Sequence, residues 1–166
     1  MRNSGFTLIE MVAVLLILAI LAAALTAGLA NARNKAWRTQ AREACRELCT
    51  AWNAYLLDVR KFPKNLGSAN GLKANYTNLK FIVDPDENRF KRIYMEISEK
   101  ERDTGLLDHW GRLLNFSLDT DYDGEVDNPY PNAFEPPISK AKATSIAWSD
   151  GDPHREQRDD NPIVIW

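Results

Sequence analysis

The sequence predicts an α+β chain: a long N-terminal helix, half membrane-spanning and half amphipathic, packed on a small antiparallel β-sheet head. Three observations predict it. Residues 11–30 carry no charge. Apolar residues then recur at helical spacing as far as Leu56, with no Pro or Gly interrupting residues 29–62. Short apolar runs bounded by Gly, Pro, Asn and Asp follow in the C-terminal half.

The apolar run comes first. From Met11 to Ala30 only Thr26 and Gly28 break the aliphatic pattern. Twenty helical residues rise about 30 Å, the thickness of a bilayer hydrocarbon core. A membrane span and a secretory signal peptide both fit this stretch. The signal would need a shorter apolar core and a small-residue cleavage site, which Ala22-Ala23-Ala24 or Ala27-Gly28-Leu29-Ala30 would mimic. Glu10 favours the span. A carboxylate at the entrance of an apolar run costs roughly 2.5–3.5 kcal/mol on insertion, and a signal peptide gains nothing from it. Arg2, the nearest cation in the chain, is poorly placed for it. The amine of a neighbouring copy would serve better.

The amphipathic half follows. Trp37, Ala41, Cys45, Leu48, Trp52 and Leu56 share one helical face, with Arg38, Arg42, Arg46, Glu43 and Glu47 on the others. Pro63 supplies the stop. A single helix from Phe6 to Val59 would be roughly 80 Å long. Cys45 and Cys49, one turn apart, read either as a metal or redox pair or as small packing residues. Two ligands at that spacing do not complete a tetrahedral site, and the geometry suits a disulfide poorly.

In the head, residues 64–80 read as a surface loop. Phe81-Ile82-Val83 is a short apolar run, and residues 92–97 suit a strand or a short helix. Leu113–Leu118, Thr144–Trp148 and Ile163–Trp166 read as strands of one antiparallel sheet.

The charge is unevenly spread. The 166 residues hold 21 Lys and Arg against 23 Asp and Glu. Residues 1–65 carry +5, residues 66–118 balance, and residues 119–166 carry −7. The balance excludes a strongly basic nucleic-acid binder, and two cysteines exclude a disulfide scaffold. No nucleophile motif or phosphate loop is present, so no enzyme is expected.

The hexapeptide Gly5-Phe6-Thr7-Leu8-Ile9-Glu10, followed by the apolar run, resembles the processing motif of type IV pilins and type II secretion pseudopilins. The aromatic-Pro pair Phe62-Pro63 and the run Asp108-His109-Trp110-Gly111 resemble the helix exit and first sheet entry of the major pseudopilin. The resemblance implies a type IV pilin-like fold. It implies a leader over 1–5, a transmembrane and assembly half of the helix over 6–31, and a periplasmic globular domain over 32–166. A prepilin peptidase would cut after Gly5, Phe6 would be N-methylated, and Glu10 would meet a neighbouring subunit's amine during assembly. The implied function is a structural subunit of a type II secretion pseudopilus, polymerising through its hydrophobic helix. The alternative is a type IV pilin or a DNA-uptake minor pilin. The implied partners are further copies, other pilin-like subunits, the peptidase, an inner-membrane assembly platform and membrane lipid. The implied location is the bacterial inner membrane, single pass, with the head periplasmic.

Two acidic segments are candidate metal sites. Ser149, Asp152, Asp159 and Asp160 echo the C-terminal loop that holds Ca²⁺ in major pseudopilins. Asp152 comes one residue early in that pattern, Pro153 replaces a glycine, and Arg155 and Arg158 would pair the carboxylates without metal. The alternative site is Asp119, Asp121, Asp123 and Asp127, where D-x-D-x-D-G-x-x-D matches the front of an EF-hand loop. Its twelfth position is Tyr130 instead of Glu. The competing reading there is a hairpin turn at Asp123-Gly124 between Leu118 and Val126.

Overall fold

The computed structural model describes residues 7–66, 70–153 and 162–166, the side chains at 25–28, 30, 31 and 65 excepted. The chain forms two compact units, Met1–Trp37 and Arg38–Trp166. Helix α1 covers Leu8–Val59.

In the first unit, Leu8–Leu21 expose their large apolar side chains. Among the described residues, no helix is long and apolar enough to cross a membrane. This corrects the membrane-spanning half of the expected fold, the single-pass inner-membrane location and polymerisation through membrane insertion. Helix α1 carries Glu10 in its first turn and Arg33, Lys35 and Arg38 further along, charges that a hydrocarbon core disfavours. Further along the unit, the Arg33 guanidinium lies 4.6 Å over the Trp37 ring, a cation–π contact.

In the second unit, the expected helical face is the buried one. Ala41, Cys45, Leu48 and Trp52 are buried on it, joined by Cys49, Ala51 and Tyr55. Trp52 stacks on Phe116 at 5.5 Å and meets Tyr55 and Phe62 edge-on. Cys45 and Cys49 are free thiols packed in this core.

The segment expected to be a loop holds more structure. A 3₁₀ turn at Lys64–Leu66, strand β1 (Leu72–Lys73) and helix α2 (Tyr76–Val83) occupy it. Asn75 caps α2 by accepting from the Asn78 amide at 3.0 Å. Leu79, Ile82 and Val83 of α2 enter the core. A short helix α3 (Glu99–Thr104) starts with a capping box between Ser98 and Glu101. The run at 92–97, expected to be strand or helix, is neither. Its Tyr94 and Met95 amides both donate to the Ile82 carbonyl.

Strands β2 (Asn115–Leu118), β5 (Ser145–Ser149) and β6 (Ile163–Ile165) fall where expected. They form an antiparallel sheet in the order β1-β2-β5-β6. Strands β3 (Val126–Asp127) and β4 (Lys140–Ala141) make a separate pair. The expected hairpin between Leu118 and Val126 is therefore not a hairpin. Strand β2 pairs β1 and β5, while β3 pairs β4. Strand β5 is buried on both faces. Ala147 belongs to the main core, whereas Ile146 and Trp148 pack with Val126 and Ala141. This period of two is what a strand between two apolar layers requires.

Candidate functional site

The N-terminal site begins at Thr7, since Gly5 and Phe6 lie outside the described residues. Thr7 caps α1. Its amide and its hydroxyl donate to Glu10 Oε2 at 2.8 and 2.7 Å, and the Glu10 amide returns to Thr7 Oγ1 at 3.4 Å. This is a reciprocal capping box. The Thr7 hydroxyl, then its amide, hold the Glu10 carboxyl below the usual carboxylate range. The charge also sits at the positive end of the helix dipole. Glu10 thus has an intrachain role that the sequence reading missed. The T-x-x-E spacing before an apolar run was its signal.

The acidic loop between β2 and β3 brings three of its expected residues together. Asp119, Asp121 and Asp123 each place a carboxylate oxygen within 4.8 Å of the others. Asp119 is buried at 4% exposure, while Asp121 and Asp123 are exposed. The Gly124 amide donates to Asp119 Oδ2 at 2.9 Å, with Gly124 in the left-handed region at φ +83°. Asp119 Oδ1 is buried and accepts no hydrogen bond. Burial pushes the Asp119 carboxyl above its ordinary range against the Gly124 amide, and the Asp121 carboxylate adds to the rise. Folded Asp119 therefore keeps its proton to higher pH than in the unfolded chain. Its stabilising contribution is complete below the ordinary carboxylate pKa and is lost as pH rises through the raised one. Asp127 is not part of the group. It lies on β3 and accepts from the Asn70 amide nitrogen at 3.3 Å. Lys140 Nζ reaches Asp123 at 3.7 Å and Glu125 at 3.4 Å.

At the C-terminal loop, Asp159, Asp160, Arg155 and Arg158 lie outside the described residues. Ser149 is fully buried and faces inward. Its hydroxyl donates to Asp108 Oδ2 at 2.7 Å and accepts from the Gly151 amide at 3.1 Å. Asp108 Oδ1 in turn accepts the Trp110 and Arg112 amides at 3.0 and 2.9 Å, closing the turn that holds Gly111 at φ +80°. Asp150 accepts from Tyr130 Oη at 2.7 Å. Burial, then the Asp150 carboxylate, push the Tyr130 phenol up to about 12. Asn115 Nδ2 also lies 3.4 Å from the Asp150 carboxylate, so Asp108 and Asp150, to which sequence reasoning gave no such role, tie β2, β5 and the Pro131–Ala133 turn into one polar network. Asp152 is half-buried beside it.

The cysteines are not a reactive pair. Burial, then Cys49, push the Cys45 thiol far up, and burial pushes Cys49 up to about 11. The Cys49 thiol lies 3.6 Å from the Ile165 carbonyl. Neither supplies thiolate near neutrality. A thiol-reactive maleimide should leave both unmodified in the folded protein and label both in denaturant. Rapid labelling of the folded chain at neutral pH would show that the core around them is open.

Residues 1–26 match the family model described as the prokaryotic N-terminal methylation motif. No curated protein and no solved structure matches the chain. A prokaryotic N-terminal methylation motif is therefore present, as in pilin- and pseudopilin-like chains in general.

Proposed function

We propose that this chain is a non-catalytic pilin-like protein, matured by a prepilin-type peptidase that cuts between Gly5 and Phe6 and by N-methylation of Phe6. The observation that carries the reading is the methylation motif over residues 1–26, running directly into a capped helix and an α+β head. The capping box supports it on physical grounds. Thr7 and Glu10 both lie beyond the cut, so removal of residues 1–5 leaves the helix start intact. Cleavage creates a cation next to Thr7, at the positive end of α1. That charge is unfavourable by itself, and the Glu10 carboxylate offsets it. The partners are the peptidase and other pilin-like subunits. The exposed Leu8, Ile9, Leu15, Leu16 and Leu18 side chains form a larger apolar surface than an unpartnered chain ordinarily leaves bare.

Co-expression of the full chain with a prepilin peptidase tests this. The unmodified chain should lose residues 1–5, and Gly5→Leu should stay uncut. Equal processing of both, or of neither, would contradict the reading.

A further inference from the structure

We propose that the Asp119–Gly124 loop is a binding site for one hard divalent cation of the Ca²⁺ type, held by carboxylate oxygens of Asp119, Asp121 and Asp123. The spacing D-x-D-x-D-G places three carboxylates at alternate positions and a glycine at the sixth, the arrangement an oxygen cage around Ca²⁺ needs. Spacing alone would not carry the proposal, because acidic turns are common. The second observation is Asp119 itself. The residue is only 4% exposed, and its buried Oδ1 accepts no hydrogen bond. A carboxylate buried with an empty acceptor is costly. It is more so here, because the carboxylate belongs to the group whose oxygens converge within 4.8 Å.

The protein's own cation does not resolve this. Lys140 is half-exposed, and its ion pairs go to Asp123 and Glu125 at the outer side of the loop. A metal ion would supply the buried Oδ1 with a partner and cancel the mutual repulsion of three carboxylates in one step. An open cleft of about 240 Å³ is lined by Asp121 and Asp123, with Asp127 and Lys140 among others. The ligands are all oxygen, which selects Ca²⁺ or Mg²⁺ over thiophilic metals. A loop carrying Tyr122 and Gly124 at positive φ has the irregular shape that suits the larger, less demanding ion. Tyr130 at the twelfth position denies the site a bidentate carboxylate. The affinity therefore falls in the weak class of extracellular modules, with Kd roughly 10⁻⁴–10⁻³ M.

The test is calorimetric and thermal titration of the full-length protein with CaCl₂ at constant ionic strength. At 10 mM Ca²⁺ the melting temperature should rise by about 3–10 °C over the chelated sample. Asp121→Asn with Asp123→Asn changes two exposed side chains. It should abolish the Ca²⁺ heat and the shift while raising the melting temperature of the chelated form, because the repulsion is gone. Lys140→Gln removes a competing cation and should tighten Ca²⁺ binding several-fold, a gain that misfolding would not produce. Asp152→Asn should leave the response unchanged. A wild-type protein without a Ca²⁺ response, or a response that survives the double substitution, would overturn the proposal.

Discussion

Trp52→Ala is expected to destabilise the Arg38–Trp166 unit by about 3–5 kcal/mol, the range for deleting a large aromatic from a packed core. Trp52 is fully buried and touches three rings, those of Tyr55, Phe62 and Phe116. Its stacking on Phe116 joins α1 to strand β2, so the cavity would open between helix and sheet. The loss is comparable to the whole stability of many domains. The substituted protein should unfold at much lower urea concentration, or be unfolded at 37 °C. Trp52→Phe should lose much less. It keeps an aromatic ring, and it deletes an indole N–H that is buried without a hydrogen-bond partner. Similar midpoints for Trp52→Ala and Trp52→Phe would show that Trp52 is not the centre of this core.

Gly105→Ala is the second change with a large expected effect, about 2–4 kcal/mol. Gly105 ends α3 at φ +78°, where only glycine is unstrained. A methyl group there would also run into the Leu113 side chain and come within 2.7 Å of the Ala74 carbonyl. That carbonyl accepts the Leu106 amide at 2.8 Å, and Leu106 in turn accepts from Leu114. The neighbour is backbone and cannot turn away. Gly111→Ala is the matched control. Its φ is +80°, but nothing lies within 4 Å of an added Cβ, so only the backbone strain of about 1–2 kcal/mol should appear. Urea midpoints of the two variants separate the steric contribution from the conformational one. Equal losses would mean that the close approach at Gly105 is relieved at no cost.

The parts of this fold that sequence made legible are those where one local pattern decides. The spacing from Ala41 to Trp52 marks a helical face because each residue on it is buried by the same layer. Strand β5 was readable because Ile146, Ala147 and Trp148 form a short apolar run and the turn pair Asp150-Gly151 follows it. Helix α2 was hidden by composition. Asn75, Thr77, Asn78 and Lys80 look like loop residues, yet Asn75 is a cap and Leu79, Ile82 and Val83 carry the burial. Helix α3 and the start of α1 both announce themselves by a capping box, Ser98 with Glu101 and Thr7 with Glu10. The sequence reading weighs Glu10 for charge and not for capping, and makes no use of Ser98 and Glu101.

The hairpin expected at Asp123-Gly124 failed for a different reason. Turn chemistry is local, but pairing is not. Strand β2 finds its partners in Leu72–Lys73 and Ser145–Ser149, far away in sequence. The membrane reading weighed the uncharged run from Met11 to Ala30, and no helix among the described residues is long and apolar enough to cross a membrane. The polar network of Asp108, Ser149 and Asp150 had no sequence signal beyond an Asp three residues before a Gly. Its Ser149–Asp108 bond spans 41 residues.

The central claim is maturation at the Gly5–Phe6 bond, and its most direct measurement is the intact mass and N-terminal sequence of the protein taken from cells that make it. The expected result is a single mature chain that begins at Phe6 and carries one methyl group on its amine. A chain that retains residues 1–5, or one that begins within residues 22–31 as a secretory signal would leave it, would contradict the claim.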